Sequence, residues 1–359
     1  MTATPEYSEW EETLEAIVAV GGVTLLLGGT DVGKTTFTRL LVNRALAQGH
    51  RVAVLDADLG QSEIGPPACI GLGFADAPVL ALSDLPPQAL AFLGSVSPPG
   101  HLPEYLVGTR RLADLAAGRF LVVDTGGYIQ GHSARRLHQN TFDLLAPTHV
   151  VALQRRGELE PMLAPMRRRD GCRLHTPAVP AQIGTKPASF RAQRRTMRFA
   201  AYFAQAQEHT ISLDEVTPVG TWLGGGTPLA AHLLRFLNQT LPVDLRVYYA
   251  EQCGRHLGLM INRPLSPDAP GLGMALEQLK ASEVSLTVAP RLKHLLLGLE
   301  GANGKLLGLG LLEAINFRRR TLGVLTPVRA PAAARILRFG TLRIRPDGSE
   351  AGTLQRDEL

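Results

Sequence analysis

The sequence predicts an α/β chain: a doubly wound parallel sheet in its first half, then a mostly β domain. Three observations carry that prediction. Apolar runs of strand length alternate with helix-periodic segments as far as Leu153. The first strand runs into a glycine-rich turn that opens a helix. From Val216 onward the pattern changes to short apolar runs punctuated by glycine.

The elements follow in order. Val23 to Leu27 is a short apolar run closed by Gly28-Gly29, and Lys34 to Ala47 has helical periodicity ending before Gly49. Arg51-Val-Ala-Val-Leu-Asp56 is a β-branched strand pattern, so the opening is a βαβ unit with parallel strands. Phe120 to Asp124 and His149 to Leu153 are further buried-strand patterns, separated by helical Arg135 to Leu145. Pro161 to Pro187 is rich in arginine and proline, and Ser189 to Gln207 is a helical stretch carrying Arg191, Arg194, Arg195 and Arg198. Residues 1–20 are expected to be an N-terminal extension, 21–213 the first domain with its arginine helix, and 214–359 the second domain. One helix, Pro228 to Leu237, is expected in the second domain, with Leu342-Arg-Ile-Arg345 as its closing strand.

A chain of 359 residues is long enough for two domains, and 45% apolar with 19% charged residues is an ordinary globular composition. Only five of the 37 basic residues are lysine, so arginine, whose planar fork grips phosphate, carries the net charge of +5. Codon bias produces the same excess, so the charge permits a polyanionic ligand without requiring one. Cys69, Cys172 and Cys253 lie far apart, which argues against a zinc site and a disulfide framework. No stretch reaches the roughly 18 apolar residues of a membrane span, and Met1 to Trp10 has no basic, apolar leader. The terminal Arg356-Asp-Glu-Leu359 resembles a retention signal, but without a leader it reads as coincidence. A soluble cytoplasmic protein is expected, with no membrane partner.

Gly28-Gly29-Thr30-Asp31-Val32-Gly33-Lys34-Thr35-Thr36 fits G-x-x-x-x-G-K-[ST] in full. Glycines let successive N–H groups turn inward as an anion cradle at a helix N-terminus. Lys34 then reaches the β- and γ-phosphates of ATP, and the Thr35 hydroxyl ligates Mg²⁺. This makes the first domain a P-loop NTPase domain. After the second strand comes Asp56-Ala-Asp58-Leu-Gly60-Gln61, then Pro66-Pro67. If the strand stays extended, both acids share a face near the triphosphate, and Leu55, Ala57 and Leu59 point the other way. Asp56 and Asp58 therefore compete for one chemical role, either of them otherwise serving as a loop cap. Asp124 ends a buried strand and is a second-rank candidate for metal or water.

These residues resemble the 5′-hydroxyl polynucleotide kinase family, which includes the kinase subunit of the cleavage and polyadenylation machinery and the nucleolar pre-rRNA-processing kinases. The likeness continues at Asp124-Thr125-Gly126-Gly127-Tyr128, similar to the family's T-x-G-W clasp with tyrosine for tryptophan. It extends to the lid motif R-x-x-x-R at Arg191 and Arg195, and to Leu306–Glu313 and Phe339-Gly-Thr-Leu-Arg343 in the second domain. Only about 20 residues precede the first strand, so the N-terminal β domain of the eukaryotic members is not expected, which fits a prokaryotic-type member. The resemblance implies that Lys34 and Thr35 hold ATP and Mg²⁺, that Asp58 deprotonates or orients the acceptor hydroxyl, and that Gln61 helps arrange metal and phosphates. It implies that Thr125, Gly127 and Tyr128 meet the acceptor, with Tyr128 stacking on the terminal base, and that Arg191 and Arg195 close over the γ-phosphate. Which of Arg191, Arg194, Arg195 and Arg198 touches phosphate rests on the motif alone. The implied acceptor is the 5′-hydroxyl end of RNA, with DNA open, in RNA processing or repair. The rival readings are a P-loop switch ATPase, which needs neither stacking aromatic nor arginine lid, and an ATP-holding scaffold of an RNA-processing complex.

Overall fold

A computed structural model describes residues 5–359. The chain forms two compact units, divided between Arg198 and Phe199.

The first unit begins with α1 (Glu11–Val20) and continues through β1 (Val23–Gly28), α2 (Lys34–Ala47), β2 (Val52–Ala57), β3 (Cys69–Ala75), β4 (Pro87–Phe92) and α3 (Leu102–Leu115). Next come β5 (Phe120–Thr125), α4 (Gly131–Leu145), β6 (His149–Leu153), α5 (Glu160–Met166), β7 (Arg173–His175) and α6 (Ala188–Phe203), whose last turn belongs to the second unit. The strands form one sheet in the order β4-β3-β2-β5-β1-β6-β7. From β2 to β7 all neighbours are parallel, as expected. β3 and β4 add an antiparallel edge that the sequence reading did not anticipate. No helix crosses over between β2 and β3, so the chain can only turn back on itself there.

Alternate strand residues feed two cores. Leu25, Leu27, Leu55, Val123 and Val150 pack with Tyr105, Leu137 and Met162 of α3, α4 and α5. Leu26, Val54, Val122 and Val151 face the other way, against Phe37 and Leu41 of α2 and Leu14 and Ile17 of α1. Both faces are covered, which is why the strands read as continuous apolar runs. Residues 5–20 are thus more than an extension. Trp10 is fully buried, lies edge-on to Phe37 and donates its indole N–H to the Ala178 carbonyl at 2.9 Å.

The second unit contains β8 (Gln207–Ser212), β9 (Thr217–Val219), β10 (Thr227–Pro228), α7 (Ala231–Thr240), β11 (Val247–Cys253), β12 (His256–Ile261), α8 (Leu272–Gln278) and β13 (Glu283–Val288). It ends with β14 (Leu295–Gly301), β15 (Leu306–Asn316), β16 (Thr321–Thr326), β17 (Ala334–Ile344) and β18 (Glu350–Thr353). One sheet has the order β18-β17-β14-β15-β16-β8, with β9 beside β17, and a second has the order β10-β11-β12-β13. The unit is mostly β, but two α-helices form among its described residues where one was expected. The boundary expected near residue 213 falls beyond β8, which pairs antiparallel with β16 and so belongs to the second unit. No helix of the described residues is long and apolar enough to cross a membrane.

Candidate active site

The loops after β1, β2 and β5 lie at the carboxyl ends of adjacent parallel strands, where ligands bind in open α/β sheets. The glycine loop leaves β1 at Gly28 and enters α2 at Lys34. Its turn needs left-handed backbone at Asp31 (φ 58°) and Gly33 (φ 88°), the first tolerable for aspartate and the second natural for glycine. Lys34 is buried, and its ammonium donates back to the Gly28 and Gly29 carbonyls at 2.9 and 2.7 Å. Burial pushes its pKa down, while the nearby charges of Asp124, Asp58 and Asp31 oppose that shift. The charge is therefore held in place over the loop by two backbone carbonyls.

The Thr35 hydroxyl donates to Asp124 Oδ2 at 2.8 Å. Asp124 is buried, and its Oδ1 has no hydrogen-bond partner among the described residues. Burial raises this carboxyl to about 7, against the lowering effects of Lys34 and the Thr35 bond. An orphaned buried carboxylate oxygen beside a threonine hydroxyl suits a hard divalent cation. No cluster of three or more carboxylate, histidine or cysteine ligands exists among the described residues. Magnesium needs none, since it keeps water and phosphate oxygens and takes only one or two protein carboxylates.

The two acids after β2 part company. Asp56 is buried, and its Oδ2 accepts from the backbone N–H of Glu63 at 2.5 Å and of Ile64 at 2.9 Å, and from the Ser62 hydroxyl at 3.3 Å. Burial, then the charge of Asp124, pushes its carboxyl up to about 8. Asp56 staples the loop. Asp58 is half-buried and accepts with Oδ1 from the N–H groups of Gly60 and Gln61 at 3.0 and 2.9 Å. The alternation expected of an extended strand is present, with Leu55, Ala57 and Leu59 in one core.

The Tyr128 loop closes on the P-loop. A Cβ on Gly127 would stand 2.8 Å from the Thr30 nitrogen, so only glycine permits this approach. Tyr128 is half-buried, packed against the α3–α4 core. Its carbonyl is 2.8 Å from His138 Nε2 of α4. A carbonyl can only accept, so that nitrogen carries the proton; burial holds the ring neutral, with a pKa near 4. Thr125 departs from expectation: it is 1% exposed and donates its hydroxyl to the Leu26 carbonyl at 2.6 Å. Its side chain joins β5 to β1, because the last residue of this buried strand keeps it inside the sheet layer.

The lid helix α6 reaches this site unevenly. Arg191 pairs with Asp31 of the P-loop at 3.1 Å and donates to the Lys186 carbonyl at 2.6 Å. Gln61 donates to the Arg191 carbonyl at 3.1 Å. Arg194 pairs with Glu63 at 2.6 Å, and Arg198 donates to the carbonyls of Glu63 and Gly65, so these two anchor α6 to the loop that Asp56 staples. Arg195 is half-buried one turn beyond Arg191. Two residues escaped the sequence reading. Arg155, just after β6, donates to the carbonyls of Ile183 at 2.5 Å and Asp31 at 3.3 Å. Its position at a strand's carboxyl end was the available signal. His138 had none, because its partner lies on another element.

Three loops that gather a phosphate cradle, a buried cation and a hydroxyl–carboxylate pair define a P-loop nucleotide-dependent phosphotransferase. Residues 28–205 match the family described as mRNA cleavage and polyadenylation factor CLP1 P-loop. The polyribonucleotide 5′-hydroxyl-kinase of Pyrococcus abyssi is 31% identical, over 93% of this chain and 91% of that protein. That of Methanocaldococcus jannaschii is 29% identical over 93% and 90%. The polynucleotide 5′-hydroxyl-kinase NOL9 of Danio rerio is 30% identical over 44% of this chain and 23% of its own length. The solved wild-type Clp1p–Pcf11p complex shares the fold, with TM-score 0.57 at 15% identity over 92% of this chain and 77% of that one. The chain belongs to the polyribonucleotide 5′-hydroxyl-kinase family and is an ATP-using P-loop kinase.

Proposed function

We propose that the protein transfers the γ-phosphate of ATP in line to the 5′-hydroxyl end of a polynucleotide, RNA first and DNA as a further acceptor. The observation that carries this reading is the meeting of Lys34, the Thr35–Asp124 pair and Asp58 with a loop that presents Tyr128 against Thr30. Loop N–H groups and Lys34 bind the β- and γ-phosphates and stabilise charge as it shifts between oxygens. Thr35 and Asp124, with Asp58 near, would hold Mg²⁺, which supplies charge neutralisation across the phosphates when bound. Asp58, just after β2 and close to both Lys34 and Asp124, accepts or orients the proton of the attacking hydroxyl. Gln61 ties the Asp58 turn to α6. Tyr128 offers a ring to the terminal base, and any base suits it because each has a π-face. Arg191, and Arg195 one turn on, bring charge toward the transferred phosphoryl group. A cytoplasmic site of action fits the three free cysteines.

Incubation with γ-labelled ATP, Mg²⁺ and matched 5′-hydroxyl RNA and DNA oligonucleotides tests the reading. Label at the 5′ end of RNA is expected. ATP hydrolysis without transfer would favour a switch ATPase, and ATP binding without turnover a scaffold.

A further inference from the structure

A groove of about 1410 Å³ lies within the second unit, lined by α7, β11 and β15 and by the segments before and after them. It exceeds the roughly 300–1,000 Å³ of a small-molecule site, so it has room for more than one nucleotide-sized unit. Its cations are uncommitted: Arg235 of α7, Arg246 ahead of β11 and Arg318 after β15 are exposed and make no ion pair with any described residue. The one lining carboxylate, Glu313, faces Lys293 at 3.9 Å and His294 at 3.6 Å, so the groove keeps a positive excess.

The backbone is shaped toward this groove on both sides. In β11 the pairing passes from Val247↔Ile261 to Tyr249↔Met260, which leaves Tyr248 as the extra residue of a bulge. In β15 it passes from Leu312↔Val324 to Ala314↔Gly323, leaving Glu313 as another. Bulges re-aim side chains, and both extra residues line the groove, as do the consecutive Tyr248 and Tyr249. Tyr248 is 44% exposed. Phe317 stacks on Tyr249 with centroids 4.6 Å apart and planes 8° from parallel, a flat aromatic surface among unpaired arginines.

We propose that this groove binds single-stranded polynucleotide, with Arg235, Arg246 and Arg318 on its phosphates and Tyr248 stacked on a base. The inference rests on the reading that polynucleotide is the substrate class. Arginine forks take phosphate oxygens in pairs, and exposed rings take bases without regard to sequence. An acidic peptide could answer the charge but offers no planar ring for Tyr248.

The test is fluorescence anisotropy of the full chain with a 3′-labelled, 5′-phosphorylated single-stranded RNA 20-mer, without ATP, across a salt series. Replacing Arg235, Arg246 and Arg318 together by glutamine is expected to lower the log–log salt slope by about two, at about 0.7 per lost phosphate contact, and to weaken binding about tenfold or more. Tyr248→Ala alone is expected to weaken it about fivefold or more with the slope unchanged. All four side chains are exposed, and circular dichroism checks that the fold persists. Unchanged affinity and slope in the triple variant overturn the proposal, as does tighter binding of a polyglutamate 20-mer than of RNA through the same residues. The assay involves no transfer, so a chain that binds RNA through these residues but phosphorylates no 5′-hydroxyl overturns the kinase reading and upholds the groove.

Discussion

Lys34 and Arg191 both bring positive charge to the P-loop, and they are held in opposite ways. Lys34 is buried, bonded to two carbonyls of the loop it follows, and desolvated enough for its pKa to fall. Arg191 comes from 160 positions away and meets Asp31 through a partly buried pair at 3.1 Å. Solvent still reaches this pair, so it is screened more than the buried Lys34 and exchanges partners more readily. The difference teaches which charge is part of the rigid cradle and which can follow the reaction. The neighbouring Arg194 and Arg198 belong to neither class, since their bonds to Glu63 and Gly65 fix the helix itself.

The sharpest way to break this comparison is Lys34→Ala. Transfer should fall about a thousandfold or more, because the phosphate charge loses a fixed counter-charge where water compensates poorly. Steady-state rates within tenfold of the parent would remove the cradle from the mechanism.

Asp58→Asn and Asp56→Asn extend the contrast to the acids. Asp58→Asn should lower kcat about a hundredfold or more with ATP affinity and unfolding midpoint nearly unchanged. Asp56→Asn should instead cost about 2 kcal/mol of stability in urea titration, since an acceptor for three N–H groups is exchanged for a weaker one. Equal losses of kcat in the two variants would reverse the assignment.

Tyr128→Ala should raise KM for the oligonucleotide about tenfold, within the 1–3 kcal/mol of a base–aromatic stack, and leave ATP affinity alone. Tyr128→Trp should be tolerated. His138, neutral above about pH 4, should add no pH dependence to this contact between pH 5 and 8. A KM that rises through that window as pH falls would show the ring taking a proton.

The smallest effect belongs to the lid. Arg191→Lys and Arg195→Lys keep the charge and lose the fork, so single-turnover rates should fall about fivefold with ATP affinity nearly unchanged. Arg194→Ala should instead loosen α6. If Arg194→Ala slows transfer most, the division between anchoring and reacting arginines is wrong.

The sequence by itself determined the P-loop, because its signal is local: the nine residues from Gly28 to Thr36 carry backbone, charge and hydroxyl between one strand and the helix that follows it. It determined the two-faced sheet for the same reason, since strands covered on both sides must be apolar throughout. It also left Asp56 competing with Asp58, the later acid being the one nearer the cleft, and the four arginines of α6 as a motif. The tertiary structure gives them different partners, which no periodicity encodes. Thr35 finds Asp124 across 89 positions, Gln61 finds the Arg191 carbonyl across 130, and Arg155 finds Asp31 across 124. Such pairings depend on strand order, here β2-β5-β1-β6, which sets which loop tips become neighbours. Thr125 shows what that order adds: two residues before Gly127 in sequence, its side chain turns inward to the Leu26 carbonyl because β5 lies against β1.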